Sequence, residues 1–170
     1  MELLTLRNIP IPRTKAALLY EPDKEKKYDR LPDIYCAKTW PKRTNIHCYM
    51  CTNQTRRIPL IVPSTINADG SIYRGGNPMV CSPTCGMNWI LSKARDDQEI
   101  RRYIHYFKIF IKNITGCTLD VIHRSMDKLE MNKYGGTLTQ HEYEREIIAI
   151  NEPYIRNQYE SLEDYEDDRS

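Results

Sequence analysis

The chain has 170 residues, 40% of them hydrophobic and 28% charged, which suits one domain, or one small domain with extensions, around a modest core. No run approaches the roughly eighteen apolar residues of a membrane span, and residues 1–12, with Glu2 and Arg7, do not form a secretory leader. The net charge of +2 is unevenly spread: residues 160–170 hold six acids and one base, which leaves about +7 on the rest of the chain. Such a body can approach nucleic acid, with the acidic tail as an electrostatic competitor or a dock for a basic partner. The plainer alternative is a solvated terminus on an ordinary surface. Twelve Tyr against two Phe means that most rings carry a polar handle, suited to interfaces and half-buried surfaces.

Residues 1–45 read as an extended arm, interrupted by Pro10, Pro12, Pro22, Pro32 and Pro41, with a mixed-charge run over 21–30. A stretch of this kind wraps a partner, or its own domain, more readily than it forms long helices. Residues 16–20 suggest a short strand.

Residues 46–95 carry the densest signal. Cys48-Tyr-Met-Cys51 and Cys81-Ser-Pro-Thr-Cys85 form two short clips with metal-ligand spacing. Four thiolates close a tetrahedral zinc shell, and a closed shell with no water position is structural rather than catalytic. Disulfides or free thiols are the alternative, disfavoured by the spacing and by the missing leader. Between the clips, Arg57-Ile-Pro-Leu-Ile-Val-Pro63 predicts a buried strand and Ser71-Ile-Tyr-Arg74 its return strand, joined through the turn residues Asn67-Ala-Asp-Gly70. Ser82 is a natural N-cap and Pro83 a natural first helical residue, so the second clip opens a helix over 84–94. Met87, Ile90, Leu91 and Ala94 form its expected core stripe, with Trp89 alongside. One clip on a turn and one on a helix start is the layout of a treble clef. His47 flanks the first clip but faces a shell already filled, so it is expected to be a neighbour. Cys36 and Cys117 read as small buried hydrophobes.

Residues 96–155 predict helices. Asp96-x-x-Glu99 is a capping box, followed by Ile100, Tyr103, Ile104, Phe107, Phe110, Ile111 and Ile114 at helical spacing up to Gly116. The run 107–111 is also compatible with a strand. A third helix is expected over 119–132, capped by Thr118 and stopped before Gly135-Gly136. Thr139-x-x-Glu142 opens a fourth that runs to about Ile150 and ends at Pro153. Residues 156–170 are the acidic tail. The expected fold class is therefore α+β: a small treble-clef zinc module, a helical C-terminal half and an extended N-terminal arm.

Catalysis finds no support. His105, His123 and His141 are isolated, and no nucleophile–base order, carboxylate pair or phosphate-binding glycine loop can be assembled. The expectation is a non-enzyme. Lys42, Arg43, Arg56 and Arg57 flank the first clip and are candidate phosphate contacts, with ordinary surface charge as the alternative.

The clips, the proline-marked strand between them and Val80-Cys-Ser-Pro-Thr-Cys85 together resemble the zinc finger named for its Phe-Cys-Ser signature, which is related to cellular MYM-type fingers. Within that group the chain most resembles the late transcription factor two family of poxviruses and other large cytoplasmic DNA viruses. Lys133-Tyr-Gly-Gly-Thr-Leu-Thr-Gln-His-Glu-Tyr143 is similar to the Phe-Gly-Gly-x-Leu-Ser-x-x-Glu-Phe segment of giant-virus members. The resemblance covers roughly residues 46–145. Val80 stands in place of the signature Phe, and Tyr134 in place of the Phe before the glycines. Both keep an apolar or aromatic contact.

What the resemblance implies is a zinc-binding transcription factor for late viral genes, with Cys48, Cys51, Cys81 and Cys85 as ligands of one Zn2+. Its partners would be the viral RNA polymerase, other late factors and promoter DNA, and its place the host cytoplasm (the viral factory) or the virion. A structural alternative is a zinc-stapled virion component laid against capsid proteins. Inhibition of host signalling is a third option that no sequence feature selects.

Overall fold

The computed structural model describes residues 26–156. The expected strand at 16–20 and the acidic stretch 160–170 lie outside the described residues. Small sheets and helices make an α+β fold over a single apolar cluster.

The strands are two residues each: β1 (Lys27–Tyr28), β2 (Ile34–Tyr35), β3 (Arg43–Thr44), β4 (Leu60–Ile61), β5 (Thr65–Ile66), β6 (Ile72–Tyr73) and β7 (Met79–Val80). Their pairing corrects the predicted hairpin. The apolar strand β4 is antiparallel to β7, with Leu60 opposite Val80 and Ile61 opposite Met79. The return strand β6 pairs instead with β5 and, on its other edge, with β2. Pro63 supplies the reason. It has no N–H to continue the ladder, so the chain breaks there and restarts, Ser64 N–H donating to the Tyr73 carbonyl at 2.9 Å. The turn itself falls where expected, with Gly70 N–H donating to Asn67 O at 3.0 Å.

Over 26–45 the arm lies against its own module. Leu31, Tyr35 and Trp40 are buried, and Trp40 is fully covered. Its indole sits 4.3 Å from the Tyr35 ring and 5.4 Å, edge-on, from Phe110. Trp40 Nε1–H donates to the Pro59 carbonyl at 2.7 Å, so the one polar atom of the indole is satisfied inside the core. Arg74 pairs with Asp33 at 2.7 Å and closes the edge where β2 meets β6.

Helix α1 (Pro83–Lys93) begins as predicted, with Ser82 Oγ accepting from Cys85 N–H. Its buried face is rotated from the expected stripe. Cys85, Gly86, Trp89 and Ile90 point inward, while Leu91 is 37% exposed. Two forces set that rotation: Cys85 must face the other thiols, and Gly86 must face Phe107. A Cβ on Gly86 would lie 2.2 Å from the Phe107 ring, so only glycine permits this approach of the two helices.

Helix α2 (Asp97–Thr115) settles the ambiguity at 107–111 in favour of helix, and buries Phe107, Phe110, Ile111 and Ile114. Asp96 caps it, accepting from Glu99 N–H. The Glu99 carboxylate does not return to the cap residue but accepts from Arg95 N–H at 2.8 Å and pairs with Arg95 and Arg102. That partnership holds its carboxyl below the usual range.

The third predicted helix does not form. Residues 119–127 are irregular, followed by 3-10 turns at Lys128–Glu130 and Asn132–Tyr134. The apolar residues there do not share a face: Ile122 and Met131 are buried, whereas Val121 and Leu129 stand exposed, at 63% and 59%. Asp127 also competes for the backbone, accepting from Leu129 N–H at 3.0 Å. Helix α3 (Gln140–Ile150) carries the complete Thr139/Glu142 capping box. Pro153 does not end that helix but lies within a further short one, α4 (Glu152–Arg156), near its start, where a missing N–H costs little. No described helix is long and apolar enough to cross a membrane.

Candidate metal centre

Cys48 and Cys51 sit on a tight turn closed by local backbone bonds. Cys48 N–H donates to Asn53 O at 2.9 Å, and Thr52 N–H to Cys48 O at 2.8 Å. Thr52 takes a left-handed φ of 66°, which costs a β-branched residue energy and marks a turn held by its surroundings. Tyr49 N–H donates to Met79 O at 3.0 Å, tying this turn to β7. Strand β7 runs directly into Cys81, and the first turn of α1 presents Cys85. The β4–β7 pair therefore brings the two clips together, and the helix cap aims the fourth thiol.

The four sulfurs lie within 4.8 Å of one another and all four cysteines are buried. Cys51 and Cys81 are 3.5 Å apart, Cys81 and Cys85 3.7 Å. A disulfide needs about 2.05 Å. A tetrahedral ion bound by sulfur at about 2.3 Å needs sulfur–sulfur edges of about 3.8 Å, so the spacing suits a shared ion. Hydrogen bonds from the Cys51, Cys81 and Cys85 thiols hold Cys48 well below the ordinary thiol range. The bonds to Cys48, together with burial, push Cys81 and Cys85 well above it. Sulfurs crowded this closely compete over protons, a conflict that a divalent cation at their centre removes. The cluster could hold one metal ion.

His47 is exposed and outside the cluster, and pairs through backbone with Gln54. Cys117 is buried and Cys36 half-buried, and neither belongs to the cluster. His105, His123 and His141 are exposed.

The downstream glycine segment folds onto this centre, a contact that local sequence signals did not reveal. The Tyr134 hydroxyl meets Thr52 Oγ1 at 2.6 Å, and Lys133 Nζ reaches Asn53 Oδ1 at 3.5 Å. Tyr143 is buried and donates to Met126 O at 2.9 Å. Burial raises its phenol far above the usual value. The two glycines make the loop between these tyrosines possible. Gly135 has φ 94°, and a Cβ on Gly136 would lie 2.1 Å from the Glu130 carbonyl oxygen. Because that obstacle is backbone, Gly136→Ala is expected to lower stability by about 1–3 kcal/mol, read as a lower urea midpoint. An unchanged midpoint would show that the loop can relax.

The basic candidates fall on two stretches of chain that touch. Lys42 is half-buried and Arg43 exposed on β3; Arg56 is exposed and Arg57 half-buried in the loop before β4. The bond from Trp40 to Pro59 joins the segments that carry the two pairs. No family model, curated protein or solved structure matches the chain.

Proposed function

We propose that the chain is a non-enzymatic, zinc-binding factor of late viral transcription, built on a treble clef whose knuckle is the Cys48–Cys51 turn and whose helix is α1. Zn2+ is the ion this set would take, because four buried thiolates at tetrahedral spacing suit a soft, redox-inert cation in a closed structural shell. The observation that carries the family reading is the union of its two motifs. Tyr134 and Lys133, from the glycine-pair segment, reach Thr52 and Asn53 of the cysteine turn, so residues far apart in sequence pack together. A zinc module of this kind is a platform for polymerase subunits, other late factors or promoter DNA in the cytoplasm of the infected cell.

Affinity purification of the tagged chain from infected cells tests this. Polymerase subunits and late factors among its partners are the expected result. Capsid proteins, with many copies of the chain per particle, would replace the proposal with the structural alternative.

Direct DNA contact makes a separate prediction. Reversing Lys42, Arg43, Arg56 and Arg57 together should weaken binding to nonspecific duplex DNA. The slope of log affinity against log salt should flatten by about 0.9 for each phosphate these side chains neutralise. Filter binding across a salt series that shows an unaltered slope would remove these residues from any DNA interface.

A further inference from the structure

Helix α2 carries a row of charge that the metal centre does not use. Residues 100–119 hold Arg101, Arg102, His105, Lys108 and Lys112 and no Asp or Glu. Arg101, His105, Lys108 and Lys112 follow one another at helical spacing, within about 60° around the axis and along about 16 Å of it. Phe107, Phe110, Ile111 and Ile114 take the opposite side, where all four are buried. Arg101, His105 and Lys112 are exposed and Lys108 is half-buried. Arg102 does not belong to the row, because it pairs with Glu99 at 3.1 Å. Among the described residues, no carboxylate forms an ion pair with Arg101, Lys108 or Lys112. Lys108 Nζ donates to the Asp120 backbone carbonyl, which steadies the side chain at the surface and leaves its other N–H groups for a ligand.

The rest of this face decides which anion fits. A protein partner needs an apolar anchor at the centre of its patch, and none of the large hydrophobic side chains exposed among the described residues lies on α2. Insertion into a membrane surface needs the apolar side of the helix, which here is shut inside the core. A single strand needs open rings on which bases stack, whereas Tyr103 and Tyr106 are half-buried. A duplex backbone needs only cations along a line. We propose that the exposed face of α2 docks along one strand of a DNA duplex, with Arg101, Lys108 and Lys112 each on a phosphate and His105 donating between them. The row spans about five phosphates of one strand, at about 3.4 Å of rise each. Asp97, one turn before Arg101 on the same side, ends the row, since its carboxylate would repel the next phosphate. Contacts of this kind hold a protein on DNA without reading its sequence. The inference deepens the promoter-DNA part of the proposed function and rests on that reading. It puts contact on α2 whether or not Lys42, Arg43, Arg56 and Arg57 take part.

The test uses the full zinc-loaded chain and fluorescein-labelled DNA duplexes of two unrelated sequences, titrated by anisotropy across a salt series. Wild type should bind both duplexes equally. R101Q/K108Q/K112Q should flatten the slope of log affinity against log salt by about 2.7, or about 0.9 for each lost phosphate contact. R101Q/K112Q, which spares the bond from Lys108, should flatten it by about 1.8 and keep the zinc content and melting temperature of wild type. Asp97→Asn should bind more tightly than wild type, a gain that misfolding cannot imitate. Unchanged slopes in both multiple variants would overturn the proposal. If reversal of Lys42, Arg43, Arg56 and Arg57 then removed binding, the DNA reading would stand and α2 alone would be wrong. A wild-type chain that binds neither duplex at about 50 mM salt would end both. Tighter capture of oligothymidylate, or of phosphatidylserine vesicles, than of the duplexes would overturn the proposal by giving the row to a single strand or a lipid surface.

Discussion

Purified from zinc-replete cells, the protein is expected to carry one zinc ion per chain, and Cys81→Ser or Cys85→Ser is expected to abolish both metal and fold. The magnitude decides this. A structural four-thiolate zinc site contributes on the order of 10–16 kcal/mol, whereas a whole domain is stable by about 5–15 kcal/mol. The strands that bring the two clips together, β4 and β7, are two residues long and cannot be stable by themselves. Elemental analysis after dialysis, paired with circular dichroism, gives the result directly. Cys117→Ser and Cys36→Ser, which change thiols outside the cluster, should leave the metal content at one. A chain that is zinc-free and still melts cooperatively at the same temperature would end the metal proposal and the treble-clef assignment with it.

Trp40→Ala is expected to cost about 3–5 kcal/mol, the largest effect for a single residue outside the cluster. Trp40 has no exposed surface and packs against Tyr35 and Phe110. Its removal leaves a cavity between the N-terminal stretch and α2, and leaves the buried Pro59 carbonyl without its donor, a penalty of about 1–3 kcal/mol in its own right. Trp40→Phe keeps much of the volume and should recover more than half of the stability. Ile34→Ala, in the neighbouring strand but 48% exposed, should change stability by less than about 1 kcal/mol. Urea unfolding of the three variants checks the ranking. If Trp40→Ala and Ile34→Ala shift the midpoint equally, residues 26–45 do not seal the core.

The local signals were legible because they act over a few residues. Ser82, Asp96 and Thr139 cap their helices as their side chains and spacing predict, and the four clip cysteines meet. The strand partners were not legible. A two-residue strand has no periodicity to read, and only Pro63 hinted that the ladder breaks. Residues 119–132 show the opposite error, since scattered apolar residues imitated a helix whose side chains in fact divide between core and solvent.

By itself, the sequence determined the set of four cysteines that cluster, the starts of α1, α2 and α3 and the turn through Asn67 and Gly70, because each rests on short-range geometry. Tertiary structure alone decided that Trp40 closes the core, that α1 turns its Cys85–Gly86 side inward, and that Tyr134 rests on the cysteine turn. Those outcomes depend on which distant surfaces exclude water together, and burial is settled by the whole packed chain rather than by any local stretch.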